Sequence, residues 1–222
     1  MESFATIHQR AADRKGGIAA LDELLPVPSP DASLRRLKDS TVLAEMTRCV
    51  FRSGFVWQII DNKWDGFDTA FHHFDVQRCL MLSDEELEAL SADQRIVRNN
   101  AKIRAVPHNA RFIAEIAAEH GSFGRFLAGW PNDDIVGLWD ILRTRGNRLG
   151  GQTGRFFLRL IGRDTPILSP DVVTALIHQG VVDREPSGRK ALLAVQAAFN
   201  TWQVESGRPL CQISRILACS VP

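Results

Sequence analysis

The sequence predicts an all-α fold, built as one domain or as two packed helical lobes. Apolar residues recur at helical spacing through nearly the whole chain. Alternating strand patterns are hard to find, and β-branched runs are short. The chain has 222 residues, 45% of them apolar and 24% charged, ordinary globular values. That length buries a real core without disulfides or structural metal.

The elements follow in order. Candidate helices at 3–15 and 17–25 precede a loop marked by Pro26, Pro28 and Pro30. Helices at 40–53 and 55–61 come next. Ser83-Asp84-Glu85-Glu86 is a capping box and opens a helix at 83–91. In 97–119, Ile103, Val106, Ala110, Ile113 and Ala117 define one buried face. Pro107 is expected to kink or split that stretch. Further helices fall at 122–130, 133–145 and 152–163. Ser169 caps the next, at 170–179, and Pro170 takes its first position. Helices at 188–206 and 210–219 close the chain as a packed pair. Trp139 and Trp202 read as core residues.

Lysine plus arginine total 27 and aspartate plus glutamate 26, a formal net charge of +1. A strongly basic, tail-like nucleic-acid binder is excluded. The charge is nevertheless uneven. Residues 84–93 carry Asp84, Glu85, Glu86, Glu88 and Asp93 and no base. Residues 95–111 carry Arg95, Arg98, Lys102, Arg104 and Arg111 and no acid. Residues 143–163 carry Arg143, Arg145, Arg148, Arg155, Arg159 and Arg163, again without an acid. A near-neutral chain can still present a basic face if such segments fold together.

Cys49, Cys79, Cys211 and Cys219 are widely spaced and form no CxxC pair, which argues against a zinc ribbon or an iron–sulfur loop. Cys49, on an apolar helix, reads as a buried inert thiol. The first residues are polar and mixed in charge, unlike a signal peptide, and no apolar run reaches spanning length. A soluble protein of a reducing compartment, away from membranes, is expected. His72 and His73 point to different helix faces, and no third ligand stands at a fitting spacing, so no metal is expected. His108 and His120 read as structural or surface residues.

Residues 143–163 combine the second basic stretch with glycines. An amphipathic helix through Ile135, Leu138, Trp139 and Leu142 runs into Gly146. Then comes Leu149-Gly150-Gly151-Gln152-Thr153-Gly154, and after it a helix carrying Phe156, Phe157, Leu160 and Ile161. Glycines allow close backbone approach, and the second helix opens with unpaired N–H groups and a positive dipole end. Such a helix start seats a phosphate, with Arg145, Arg148 and Arg155 able to flank it. A plain interhelical turn would carry the same glycines. Asp171 follows in Leu168-Ser169-Pro170-Asp171; an acid in a helix's first turn is commonly just a dipole partner.

Hairpin, basic helix and downstream acid together resemble the helix-hairpin-helix DNA glycosylase superfamily. Four segments narrow the likeness: Gly54-Phe55-Val56-Trp57, Phe71-His72-His73-Phe74-Asp75, Ile96-Val97-Arg98-Asn99-Asn100-Ala101-Lys102-Ile103, and Asn109-Ala110-Arg111. They are similar to the G-L-S-W, FHxFD, I-I-R-x-x-x-K-I and N-A-R segments of the 3-methyladenine DNA glycosylase I family. The likeness runs over residues 43–130 plus the hairpin. Two departures stand out. That family joins an N-terminal cysteine and histidine to a C-terminal pair around zinc. Here the first forty residues hold no cysteine, and the C-terminal third offers only His178, Cys211 and Cys219, so no zinc is expected. The family's pocket glutamate lies just before G-L-S-W. Cys49 or its neighbour occupies that place here, and the nearest acid is Glu45, about one helical turn earlier.

The resemblance implies a two-lobed helix-hairpin-helix glycosylase-like fold. One lobe spans 41–163 and ends in the hairpin; 1–40 plus 164–222 form the other. It implies a base-excision DNA repair enzyme that flips out an alkylated purine of the 3-methyladenine kind and hydrolyses its glycosidic bond. Asp171, with Glu45, is then the catalytic candidate: a buried carboxylate stabilises positive charge on the sugar and orients water. Trp57 is the candidate that stacks on the base, with Phe55, Trp64 and Cys49 also in the pocket. Gly150, Gly151, Gln152, Thr153 and Gly154, flanked by Arg148 and Arg155, would hold a DNA phosphate. Strand cleavage needs a lysine amine to form a Schiff base, and 143–163 contains none, so a monofunctional enzyme without cofactor is expected. The implied partner is double-stranded DNA with a damaged base. The implied setting is the bacterial cytoplasm, at the nucleoid, as a monomer. The alternatives are a non-catalytic helix-hairpin-helix DNA-binding protein, a glycosylase for a different damaged base, and a helical interaction domain unrelated to DNA.

Overall fold

A computed structural model describes residues 1–222. It is all-α, as the periodicity predicts, and contains no strand. The helices are α1 (Phe4–Lys15), α2 (Ile18–Asp22), α3 (Asp31–Leu34), α4 (Asp39–Arg52), α5 (Trp57–Asn62), α6 (Trp64–Ala70), α7 (Val76–Leu80), α8 (Asp84–Ala92), α9 (Asn100–Ile103), α10 (Ala105–His120), α11 (Phe123–Gly129), α12 (Ile135–Arg145), α13 (Gly151–Leu160), α14 (Pro170–His178), α15 (Arg189–Ser206) and α16 (Leu210–Cys219). A 3₁₀ turn at His72–Phe74 joins α6 to α7. No helix is long and apolar enough to cross a membrane.

The termini of these helices obey local chemistry. Ser83 Oγ accepts from Glu86 N at 3.2 Å while Glu86 Oε2 accepts from Ser83 N at 2.8 Å, the expected capping box. Ser169 Oγ accepts from Val172 N at 3.4 Å. The stretch 97–119 divides at Arg104 into α9 and α10. Pro107 lies in the first turn of α10, where a missing N–H costs no intrahelical bond, so it helps start a helix rather than kink one. Helices α3, α6 and α7 and the 3₁₀ turn were not expected. Each is at most two turns long, too short for apolar period to declare itself.

The chain forms two compact units. The first comprises residues 1–29, 131–137 and 164–222. In it α16 packs against α1, α14 and α15. Trp202 is fully buried, edge-on to Phe199. The Asp164 carboxylate accepts from Leu210 N and Cys211 N, both at 2.8 Å, and so caps α16.

The second unit comprises residues 30–130 and 138–163. Its centre is α4, whose Val42, Leu43, Met46 and Phe51 are fully buried. Helix α4 packs against α10 and α13. Trp64, Phe67, Phe71 and Phe74 stack in series behind it. The Phe71–Asp75 motif is the corner of that stack. His72, His73 and Phe74 all have left-handed φ, at 53°, 55° and 55°. Non-glycine residues resist that conformation by about 1–2 kcal/mol each, so the surroundings must hold it. Buried Phe71 and Phe74 pin it, Cys79 Sγ donates to Phe71 O at 3.2 Å, and Asp75 caps α7 by accepting from Arg78 N at 2.9 Å.

All four cysteines are free and buried. Burial, aided by nearby Glu45, pushes the Cys49 thiol up to about 12. Burial, aided by Asp75, does the same for Cys79, also to about 12. A thiol that keeps its proton in the native state and loses it when unfolded stabilises the fold fully below the unfolded value. That stability is lost as pH rises from about 9 toward about 12. Each thiol adds a slope of about 1.4 kcal/mol per pH unit within that window. Thermal melts between pH 8 and 11 are therefore expected to drop steeply, and less steeply for Cys79→Ala compared with its own neutral-pH value. An unchanged slope in that variant overturns the assignment.

Candidate active site

The segregated charges of the sequence are partly paired in space. Arg104 reaches Asp84 at 2.8 Å, and Arg95 reaches Asp93 at 2.7 Å. Arg145 bonds Glu119 and Glu115 at 3.0 and 3.3 Å, and Arg143 bonds Asp140 at 2.7 Å. Arg148 stays exposed on the hairpin, its Nε on Ala101 O at 3.2 Å.

The hairpin between α12 and α13 is built by close backbone contact. Gly146 N donates to Leu142 O at 3.1 Å, ending α12. Arg148 adopts left-handed φ of 61°, and Leu149 turns inward, 1% exposed. Gly154 is required by approach: a Cβ there would run into the carbonyl oxygen of Leu149. Helix α13 begins at Gly151, so Gly151, Gln152, Thr153 and Gly154 form its first turn rather than a loop.

Asn109 clasps this turn from α10. Its Oδ1 accepts from Asn147 N at 2.7 Å and its Nδ2 donates to Asn147 O at 3.2 Å. Asn109 is 1% exposed, so its side chain makes both bonds from a buried position. That is the physical content of the Asn109-Ala110-Arg111 segment. Asn109→Ala leaves the Asn147 backbone unpaired and is expected to cost about 1–3 kcal/mol. Differential scanning calorimetry should show a fall of about 2–4 °C per kcal/mol; an unchanged melt overturns the clasp.

The Lys102 of the R-x-x-x-K-I segment has a matching task at the turn after α4. Its Nζ donates to Phe51 O at 3.1 Å and to Ser53 O, and lies over the Phe55 ring at 4.4 Å. Burial and then the charge of Arg148 hold Lys102 below the ordinary lysine range. The ammonium thus takes the place of water on carbonyls that α4 cannot satisfy at its end.

Between the α4–α5 turn and α13 lies a cavity of about 330 Å³. It is lined by Cys49, Arg52, Ser53, Gly54, Phe55 and Trp57 on one side and by Gln152, Thr153, Phe156, Arg159 and Leu160 on the other. Trp57 is 47% exposed and stands edge-on to Phe156, with ring centroids 5.5 Å apart. The Arg52 guanidinium lies 5.1 Å over the Trp57 ring, and its Nη2 bonds Asp61 at 2.6 Å. Apolar walls with a few donors are the usual composition of a small-molecule pocket.

The structure therefore brings Trp57, Phe55, Cys49, Gln152 and Thr153 to one cavity and leaves other expected residues elsewhere. Trp64 is stacked between Phe67 and Phe74 under the Arg48 guanidinium, outside the cavity lining. Glu45 is half-buried, pairs with Arg48 at 3.7 Å and does not line the cavity either. One helical turn is enough to move it along α4. Arg155 does not flank the hairpin outward. It is 8% exposed, and its guanidinium lies 4.3 Å over the Trp139 ring. Position 155 shares the inward face of α13 with Gly154 and Leu158. Asp171, expected to be buried, is exposed in the first turn of α14 and belongs to the first unit. His72 and His73 join no group of three or more metal-ligating side chains.

Arg52, Phe156 and Arg159 were not singled out from sequence. Phe156 was legible only as part of an apolar helix face. That face is in fact two: Phe157 and Leu158 point into the core, while Phe156 and Leu160 line the cavity.

A model of the methyladenine glycosylase family matches residues 35–142. DNA-3-methyladenine glycosylase 1 of Escherichia coli (strain K12) is 27% identical over 81 residues, 36% of this chain and 43% of that protein. The chain thus spans less than half the length of that curated relative. A crystal structure of 3-methyladenine DNA glycosylase I aligns with a TM-score of 0.52 at 21% identity, covering 65% of this chain and 87% of that one. That likeness concerns the fold. The resemblance carried by the four segments is borne out by the family match, which contains all of them.

Proposed function

We propose, from a chain whose residues 35–142 match the methyladenine glycosylase family, that this protein is a DNA repair glycosylase. It flips an alkylated purine out of duplex DNA, hydrolyses its C1′–N bond and leaves an abasic site. One observation supports this above others. The Gly54–Trp57 turn, which lies within the family match, and the start of α13 fold onto a single aromatic cavity. A flipped base needs such a pocket to leave the stack. Trp57 is the stacking surface. The first turn of α13, with exposed Arg148, is the phosphate seat. Asp171 is the carboxylate that stabilises charge on the sugar. Residues 143–163 lack lysine, which supports hydrolysis without strand cleavage. The chain acts on double-stranded DNA in the cytoplasm as a monomer, with no cofactor.

The test is incubation with methylated duplex DNA and identification of the released base by mass spectrometry. Release of an alkylated purine, with intact strands until alkali is added, supports the proposal. Salt-dependent duplex binding without release would leave a passive DNA-binding module.

A further inference from the structure

We infer, resting on the glycosylase reading, that Lys102 is a positioning residue for base release: through α9 it ties the phosphate seat of the hairpin to the turn that carries Trp57. That turn needs a hold from outside itself. Phe55, Val56 and Trp57 are all exposed, so packing pins little of it. Gly54 is left-handed, at φ 74°. Within the turn, Ser53 N donates to Cys49 O and Phe55 N to Arg52 O, each at 3.1 Å. The carbonyls of Phe51 and Ser53 fall past the last N–H groups of α4. Lys102 Nζ donates to both and lies 4.4 Å over the Phe55 ring. Its ammonium stands at the negative end of the α4 dipole, where a cation is favoured. Lys102 is buried and does not line the cavity, so it acts on the base only through the turn.

The same short helix grips the hairpin. Asn99 Oδ1 caps α9 by accepting from Lys102 N at 3.2 Å. The neighbouring residue, Ala101, offers its carbonyl to Arg148 Nε at 3.2 Å. Arg148 keeps its left-handed φ and an exposed side chain on the hairpin. Consecutive residues of α9 therefore hold the two parts of the site, Ala101 the seat and Lys102 the turn. Burial and then the charge of Arg148 disfavour the Lys102 ammonium. A DNA phosphate seated at Arg148 offsets that charge and so strengthens the grip of Lys102 on the two carbonyls. Backbone binding thereby steadies the stacking surface, and the coupling runs equally in the other direction.

The experiment is a double-mutant cycle. Single-turnover base release from methylated duplex DNA is measured at saturating protein, less spontaneous loss, with duplex affinity from fluorescence anisotropy. Lys102→Met keeps the apolar stem and removes the donors. It is expected to slow maximal release about tenfold, the effect of a slightly misplaced stacking ring, while duplex affinity changes less than about threefold. In a Trp57→Ala background the same substitution should slow release less than about twofold, because the ring it positions is gone. Equal losses in both backgrounds, or no loss in either, overturn the inference and leave the glycosylase reading standing. The link to the seat is read with Arg148→Gln: its loss of maximal release, combined with that of Lys102→Met, should fall short of the product of the two. A full product removes the link. If Lys102→Met does not fold, Lys102→Arg takes its place in the cycle. Its planar fork keeps the charge but not the ammonium's geometry, so about threefold slowing is expected with Trp57 present and none without it. Equal slowing in both backgrounds, or none, overturns the inference as before. Release of no base by the wild-type protein overturns the glycosylase reading and this inference together.

Discussion

Asp171→Asn is expected to slow base release by about two to three orders of magnitude. Breaking the C1′–N bond builds positive charge on the sugar. A carboxylate near that carbon stabilises the transition state, and the isosteric amide does not. The side chain is exposed, so the substitution breaks no packing. Its structural role is that of an acid at the positive end of α14, behind the Ser169 cap. Losing that role costs only about 0.3–1 kcal/mol. The two roles therefore separate cleanly. Duplex affinity, measured by fluorescence anisotropy at two salt concentrations, should change little. Release in single turnover should nearly vanish. Equal release from the variant sinks Asp171 as the catalytic carboxylate.

Trp57→Ala carries the second largest expected effect. Stacking between a base and an aromatic side chain contributes about 1–3 kcal/mol per base. That corresponds to about fivefold to one-hundred-and-fifty-fold in kcat/KM. Trp57 is half exposed and makes its ring contacts with Phe156 and Arg52 only at the cavity. Its removal should lower the melting temperature little. Trp57→Phe should recover part of the activity, because a flat ring remains. A Trp57→Ala enzyme with wild-type kcat/KM would show that the base rests elsewhere.

These two residues also mark how far sequence reading reached. Trp57 lines the cavity because its segment is a contiguous turn at a helix start, where local chemistry positions it. Trp64, seven residues on, carried the same chemical promise and lies in an aromatic stack instead. Nothing in spacing distinguishes a ring facing a cavity from a ring facing Phe67. Asn109 and Lys102 were visible as parts of motifs, yet their work was not. Each acts on backbone atoms far along the chain, Asn109 on Asn147 and Lys102 on Phe51 and Ser53. Arg155 shows the reverse error. A basic residue beside a glycine turn suggested a phosphate ligand, but the helix begins earlier and turns that side chain inward over Trp139.

By itself the sequence determined the all-α class, most helix boundaries and the segments that carry the family likeness. Those depend on period, caps and glycine placement, which act over a few residues. Tertiary structure alone decided the electrical character of the pocket. The opposed charges at 84–93 and 95–111 cancel in part through Asp84–Arg104 and Asp93–Arg95 pairs. Arg52 of α4 lies over one side of the Trp57 ring, Lys102 of α9 over one side of Phe55, and Glu45 pairs with Arg48. Coulomb interactions depend on distance through space, and a linear sequence does not contain that distance.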